Sequence, residues 1–239
     1  MKQLSKYSFL LFVLLFLIIA CKVSAQKPVK HFERSDFTAE DSIKLLNKYG
    51  KNKKLIPDFA LQTLIVLSYY PELKNTHINF LFKPAHTPLT TKPDFPDVMY
   101  KRSKRTFTII ISDSSMWKLQ PVLLQHMDFN TQIGVLGHEL SHVVDFSQNS
   151  LLQLIGSGIG HVFSSKYIDR FEYRTDSICI AHGLGYQLLA WSNFVRKTMH
   201  TENWDGADNI NMPVMNRERY MNPGTIIKRI KSNPLYAKS

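Results

Sequence analysis

Cysteine is almost missing. The chain has two in 239 residues, Cys21 and Cys179. Cys21 falls in a leader-like segment, so Cys179 has no partner in the mature chain and a disulfide scaffold is excluded. A long apolar run is missing too. The longest, Phe9 to Ala20, falls short of the ~20 residues that span a bilayer. There are no internal repeats and no low-complexity tracts. Acidic side chains are scarce, 19 against 30 basic ones, which gives a net charge of +11. The basic surplus is spread over Lys51–Lys54, Lys101–Arg105 and Arg217–Lys231. It carries no aromatic-interleaved pattern that would read nucleic acid. A solvated basic surface is the plain reading; affinity for an acidic lipid or polymer is the functional one.

What is present indicates a packed core. Hydrophobic residues make up 44% and aromatics 12%, which excludes disorder. The length suits one domain, 26–239. Ahead of it, "MKQLSKYSFLLFVLLFLIIACKVSAQ" has the parts of an export signal: Lys2 and Lys6, then the apolar run, then small residues. Two cuts compete. Ile18-Ile19-Ala20-Cys21 resembles a lipobox, with a leader ending at residue 20 and Cys21 lipidated as a membrane anchor. Val23-Ser24-Ala25 before Gln26 resembles an ordinary cleavage site, with a leader of 1–25, and the spacing from the apolar run favours it. Either cut lowers the net charge, to +9 before Cys21 or to +8 if Lys22 is lost as well. Both place the protein outside the cytoplasm, as a periplasmic, secreted or membrane-anchored protein.

Periodicity predicts an α+β fold. Helices are expected over Asp36–Gly50, with Gly50 closing the first, and over Asp58 to about Tyr69. Residues 77–83, "HINFLFK", alternate as a strand, and 105–112, "RTFTIIIS", form a β-branched second one. Between them "PAHTPLTTKPDFP" holds four prolines and reads as a loop. Asn130 is the expected cap of a helix over Thr131 to about Phe146. Ser165 is the expected cap of another ending at Gly183, and a further helix covers Tyr186–Thr198. Shorter helical pieces are expected at Val214–Met221 and Thr225–Ile230. The sum is a small sheet packed on one central helix, with a helical C-terminal part.

The chemistry concentrates in "GVLGHELSHVVDF", 134–146. His138 and His142 are four apart, so a helix sets both imidazoles on one face. Neutral imidazole suits zinc, and Glu139 beside the first histidine suits a general base. The frame around them is uncharged, which fits a dry site better than it fits a core helix with two hydrogen-bonded histidines. A catalytic zinc needs a third protein ligand. "RFEYRTDSICIAHG" offers Glu172 and Asp176, again four apart: one carboxylate to bind metal, the other to accept a ligand's ring N–H. His161, Asp145 and Asp169 compete for the third place.

The pair HExxH at 138–142 and ExxxD at 172–176 resembles the gluzincins, the thermolysin-like branch of the zinc metallopeptidases. The resemblance covers about 105–185 and is specific only at the site. It implies a compact zincin-like domain with His138, His142 and Glu172 on zinc, Glu139 as the base and Asp176 orienting a histidine. It also implies a sheet whose edge strand binds an extended peptide, a place that "RTFTIIIS" suits in chain order. The expected reaction is peptide-bond hydrolysis by a zinc-activated water, with a donor for the oxyanion drawn from Tyr173, His182, Tyr186, His200 and Tyr220. The alternative is a zinc-containing protein that binds peptides or surfaces without turnover.

Overall fold

The computed structural model describes residues 26–99, 101, 104–150, 165–201 and 219–237. The leader, His161 and most of Val214–Met221 lie outside the described residues. Within them the fold is α+β, with four strands and six α-helices. No described helix is long and apolar enough to cross a membrane.

The strands are β1 (Lys53–Lys54), β2 (His77–Phe82), β3 (Leu89–Pro93) and β4 (Thr106–Ile111), in the spatial order β1-β2-β4-β3. β1 and β4 run parallel to β2, and β3 runs antiparallel to β4, which makes a mixed sheet. β4 buries Phe107 through Ile111 in succession. A strand covered on both faces loses its alternation, and that places it inside a sheet.

Two expectations change here. The proline-rich stretch contains β3, so it is not a plain loop. "RTFTIIIS" is interior, so the free edge beside the site belongs to β3. The pairing explains how proline is tolerated. Ser112 N–H donates to Pro88 O at 2.9 Å and Asp94 N–H to Thr106 O at 2.9 Å. Even-numbered residues therefore face β4 in the antiparallel ladder, and Leu89, Thr91 and Pro93 turn their backbone groups outward. Pro93 has no N–H to lose on that side.

The helices are α1 (Ala39–Tyr49), α2 (Ala60–Ser68), α3 (Phe129–Gln148), α4 (Ser165–Ala181), α5 (Gly185–Thr198) and α6 (Pro223–Ser232). α1 begins later than expected because Thr38 and Asp41 form a reciprocal capping box. α3 is the centre of the molecule, buried without a break from Asn130 to Phe146. Its cap is Asp128, not Asn130. The Asp128 carboxylate accepts from Thr131 N–H at 2.8 Å and from the Thr131 hydroxyl at 2.9 Å. Asn130 is already inside the helix, and its side-chain oxygen accepts from Phe32 N–H and Gln187 Nε2, both at 3.1 Å. Ser165 likewise lies within α4 rather than before it.

α3 meets its neighbours closely because glycine allows it. A Cβ built on Gly134 would lie 2.1 Å from Gln187 O of α5. The Tyr70 hydroxyl, fully buried, sits 2.7 Å from Gly137 O and 2.8 Å from Ser141 Oγ. Gly183, at φ +94 and two residues beyond Ala181, closes α4. Gly183 N–H donates to Ile180 O and Leu184 N–H to Cys179 O, the Schellman pattern that turns the chain straight into α5.

Candidate metal centre

The face of α3 turned to the cleft carries Val135, His138, Glu139, His142 and Phe146. These lie at helical spacing, so one stripe supplies both imidazoles and the carboxylate. α4 crosses it and offers Glu172, Thr175 and Asp176 from a single face. His138 Nε2, His142 Nε2 and Glu172 Oε2 converge. Their separations are 3.1 Å (His138 to His142), 3.2 Å (His138 to Glu172) and 3.3 Å (His142 to Glu172). These three residues form a buried group that could hold a metal ion.

The outer ring nitrogens decide what the inner ones can do. His138 Nδ1 lies 2.8 Å from Asp176 Oδ1, so it carries the proton and donates it. His142 Nδ1 lies 3.1 Å from Thr175 Oγ1, whose own proton goes to Phe171 O at 3.0 Å. The threonine oxygen therefore accepts, and His142 also donates through Nδ1. Both Nε2 lone pairs then face one another and a carboxylate at hydrogen-bond distance. Only a positive charge between them makes that arrangement stable.

The titration behaviour is the protonic version of this argument. Burial, the largest single influence on His138, favours its neutral ring. The hydrogen bonds to Asp176 and Glu172 and their negative charges outweigh it and lift the pKa from 6.5 to about 10. Burial likewise works against the Glu172 carboxylate, yet His142 and His138 hold it well below the usual carboxylate range. A metal ion satisfies the same triangle. Donors about 2.0–2.1 Å from a tetrahedral ion such as zinc lie roughly 3.3–3.4 Å apart; the separations of 3.1–3.3 Å fall at or slightly below that spacing. The donor set of two imidazoles and one carboxylate fits.

The rings are also held by packing. Phe171 stacks on His142 with centroids 4.9 Å apart, and Trp191 lies 5.1 Å from His138. The second Asp176 oxygen accepts from Met221 N–H at 2.7 Å. Glu139 points into the cleft, where the Thr91 hydroxyl of β3 donates to Oε2 at 2.6 Å. The cavity measures about 570 Å³, and one wall is the outward edge of β3. The opposite wall is one stripe of α5, including Leu188, Trp191 and Val195.

Of the five residues expected as oxyanion donors, only Tyr220 lines the cavity. Its ring is 5.7 Å from that of His138. Burial, then the Glu172 and Glu139 carboxylates, raise its pKa well above the ordinary tyrosine value, so the hydroxyl keeps its proton. Tyr173 lies under Arg229, His182 pairs with Glu72 at 2.7 Å, Tyr186 packs edge-on against Tyr236, and His200 is exposed at the end of α5. The two described competing ligands, Asp145 and Asp169, are engaged elsewhere. Asp145 accepts from Arg174 at 2.8 Å, and Asp169 accepts from Arg219 at 2.9 Å. Thr91, Thr175 and Trp191 were not anticipated from the sequence; only Thr175 carried a signal, its place on the ligand face of α4.

Comparison with protein-family models, with curated proteins and with solved structures found no match to this chain.

Proposed function

We propose that the chain is an exported zinc metallopeptidase, as its resemblance to the gluzincins implies. The observation that carries this is the inward triangle of His138, His142 and Glu172 with both outer ring nitrogens already committed as donors. Zinc is the ion this donor set suits best. When bound, zinc polarises a carbonyl and acidifies water near neutral pH. Asp176 and Thr175 keep the two imidazoles in the binding tautomer. An extended peptide pairs with the outward N–H and C=O groups of Leu89 and Thr91, in the manner of strand addition. Glu139, oriented by Thr91, takes a proton from the attacking water and delivers it to the leaving amine. The Tyr220 hydroxyl donates a hydrogen bond to the oxyanion as it forms and keeps its proton.

The test is incubation with a mixed peptide library, with and without chelator. The wild type should cleave, lose activity on chelation and regain it with added zinc. Glu139→Gln should bind zinc at full stoichiometry and cleave nothing. Cleavage by Glu139→Gln would remove the assignment of the base. Zinc binding without cleavage by the wild type would leave a zinc-containing peptide binder.

A further inference from the structure

Tyr220 reaches the cleft from residues 219–222, which lack regular secondary structure and lead directly into α6. Arg219 and Met221, on either side of the tyrosine, tie that stretch to α4, and Met221 O also accepts from the Ser192 hydroxyl of α5 at 3.3 Å. Arg219 Nε donates to Asp169 Oδ1 at 2.9 Å, and Met221 N–H donates to Asp176 Oδ2 at 2.7 Å. Both acceptors lie on α4, two turns apart on the face that carries Glu172. The tyrosine ring is wedged between those of His138 and Trp191, at 5.7 and 6.0 Å. The Arg219–Asp169 pair is largely removed from water, with side-chain exposures of 16% and 3%. Desolvation makes such a pair costly, and apolar packing often stabilises as well. Its position beside Tyr220 supplies a reason for it.

We propose that the Asp169–Arg219 ion pair is a positioning pair for the hydrolysis: it fixes the Tyr220 hydroxyl over the His138–His142–Glu172 triangle and acts on the reaction only through that hydroxyl. This rests on the metallopeptidase reading above. Asp176 holds the other side of the stretch but also serves His138. Asp169 stands outside the ligand triangle, which makes its role separable.

The experiment uses Arg219→Gln, Arg219→Lys and Asp169→Asn, each alone and combined with Tyr220→Phe. Zinc per chain, kcat and KM are measured on a peptide cleaved by the wild type. In parallel, 3-fluorotyrosine is placed at position 220 and its 19F resonance recorded. Zinc content should stay at the wild-type level. Arg219→Gln and Asp169→Asn should each lower kcat about 10²-fold, the scale of a 1 Å misplacement, with KM little changed. Arg219→Lys should recover part of that loss. In the Tyr220→Phe background the same substitutions should change kcat by less than about 2-fold. The 19F resonance should shift or broaden whenever the pair is broken. Equal losses with and without the Tyr220 hydroxyl would overturn the proposal, as would loss of zinc, failure of the variants to fold, or an unchanged 19F signal. If the wild type cleaves nothing, the metallopeptidase reading fails, and the 19F signal alone still decides whether the pair holds the tyrosine.

Discussion

Asp176→Asn tests the metal centre with almost no change of shape. Asp176 is 1% exposed, and both its oxygens accept, Oδ1 from His138 Nδ1–H at 2.8 Å and Oδ2 from Met221 N–H at 2.7 Å. Asparagine offers one acceptor and one donor. With the amide oxygen toward His138, its NH₂ faces the Met221 N–H, and a buried donor goes unpaired at about 1–3 kcal/mol. With the amide reversed, NH₂ faces His138 Nδ1. The ring must then shift its proton to Nε2, the atom that binds metal. Loss of an outer partner of this kind weakens metal affinity about 10–100-fold, or about 1.4–2.7 kcal/mol. A competition titration against a chromophoric zinc chelator reads the affinity, and thermal melting of the metal-free protein reads the stability. Asp176→Asn with wild-type zinc affinity and wild-type Tm would refute the tautomer argument on which the site rests.

Gly134→Ala should destabilise the protein even though alanine favours helix by about 1 kcal/mol. The new Cβ meets Gln187 O at 2.1 Å, which is backbone and cannot swing away. Overpacking of this kind costs about 1–3 kcal/mol, so Tm should fall by several degrees in calorimetry; an unchanged or higher Tm would count against the close α3–α5 contact. Metal-free stability should depend on pH in a defined direction. The raised pKa of His138 contributes stability that is complete below pH 6.5 and disappears as pH rises from there to about 10. The lowered pKa of Glu172 contributes stability that is complete above pH 4.5 and is lost as pH falls below that value. The metal-free protein should therefore melt highest between about pH 4.5 and 6.5. Zinc displaces the His138 proton, so the Tm gap between zinc-loaded and metal-free protein should widen as pH rises through 6.5 toward 10. A gap that narrows over that range would contradict the shared use of the triangle by proton and metal.

The parts of this molecule that could be read from the sequence are those set by local period. His138, Glu139 and His142 fall on one helical face whatever the rest of the chain does, and so do Glu172 and Asp176. What joins the two helices is tertiary, and residue reading alone left Glu172 in competition with Asp145, Asp169 and His161. The structure engages the first two competitors with arginines; the third lies outside the described residues. β3 was hidden because its prolines read as loop, and only the register shows that Pro93 turns its missing N–H outward. The same register moved the free edge from "RTFTIIIS" to Leu89–Pro93. The cap of α3 shifted because Asn130 is occupied by Phe32 and Gln187, partners far away in the chain. Thr91 and Tyr220 could not be singled out for the same reason: each acts on α3 from a segment tens of residues away.

The central claim is that His138, His142 and Glu172 hold one zinc ion. Its most direct test is the zinc content and affinity of the purified wild type beside Glu172→Ala at neutral pH. The account predicts one zinc per chain in the wild type and much weaker binding in Glu172→Ala, because two imidazoles alone leave the site short of its third ligand and its negative charge. A wild type that binds no zinc, or a Glu172→Ala variant that binds it with unchanged affinity, would contradict it.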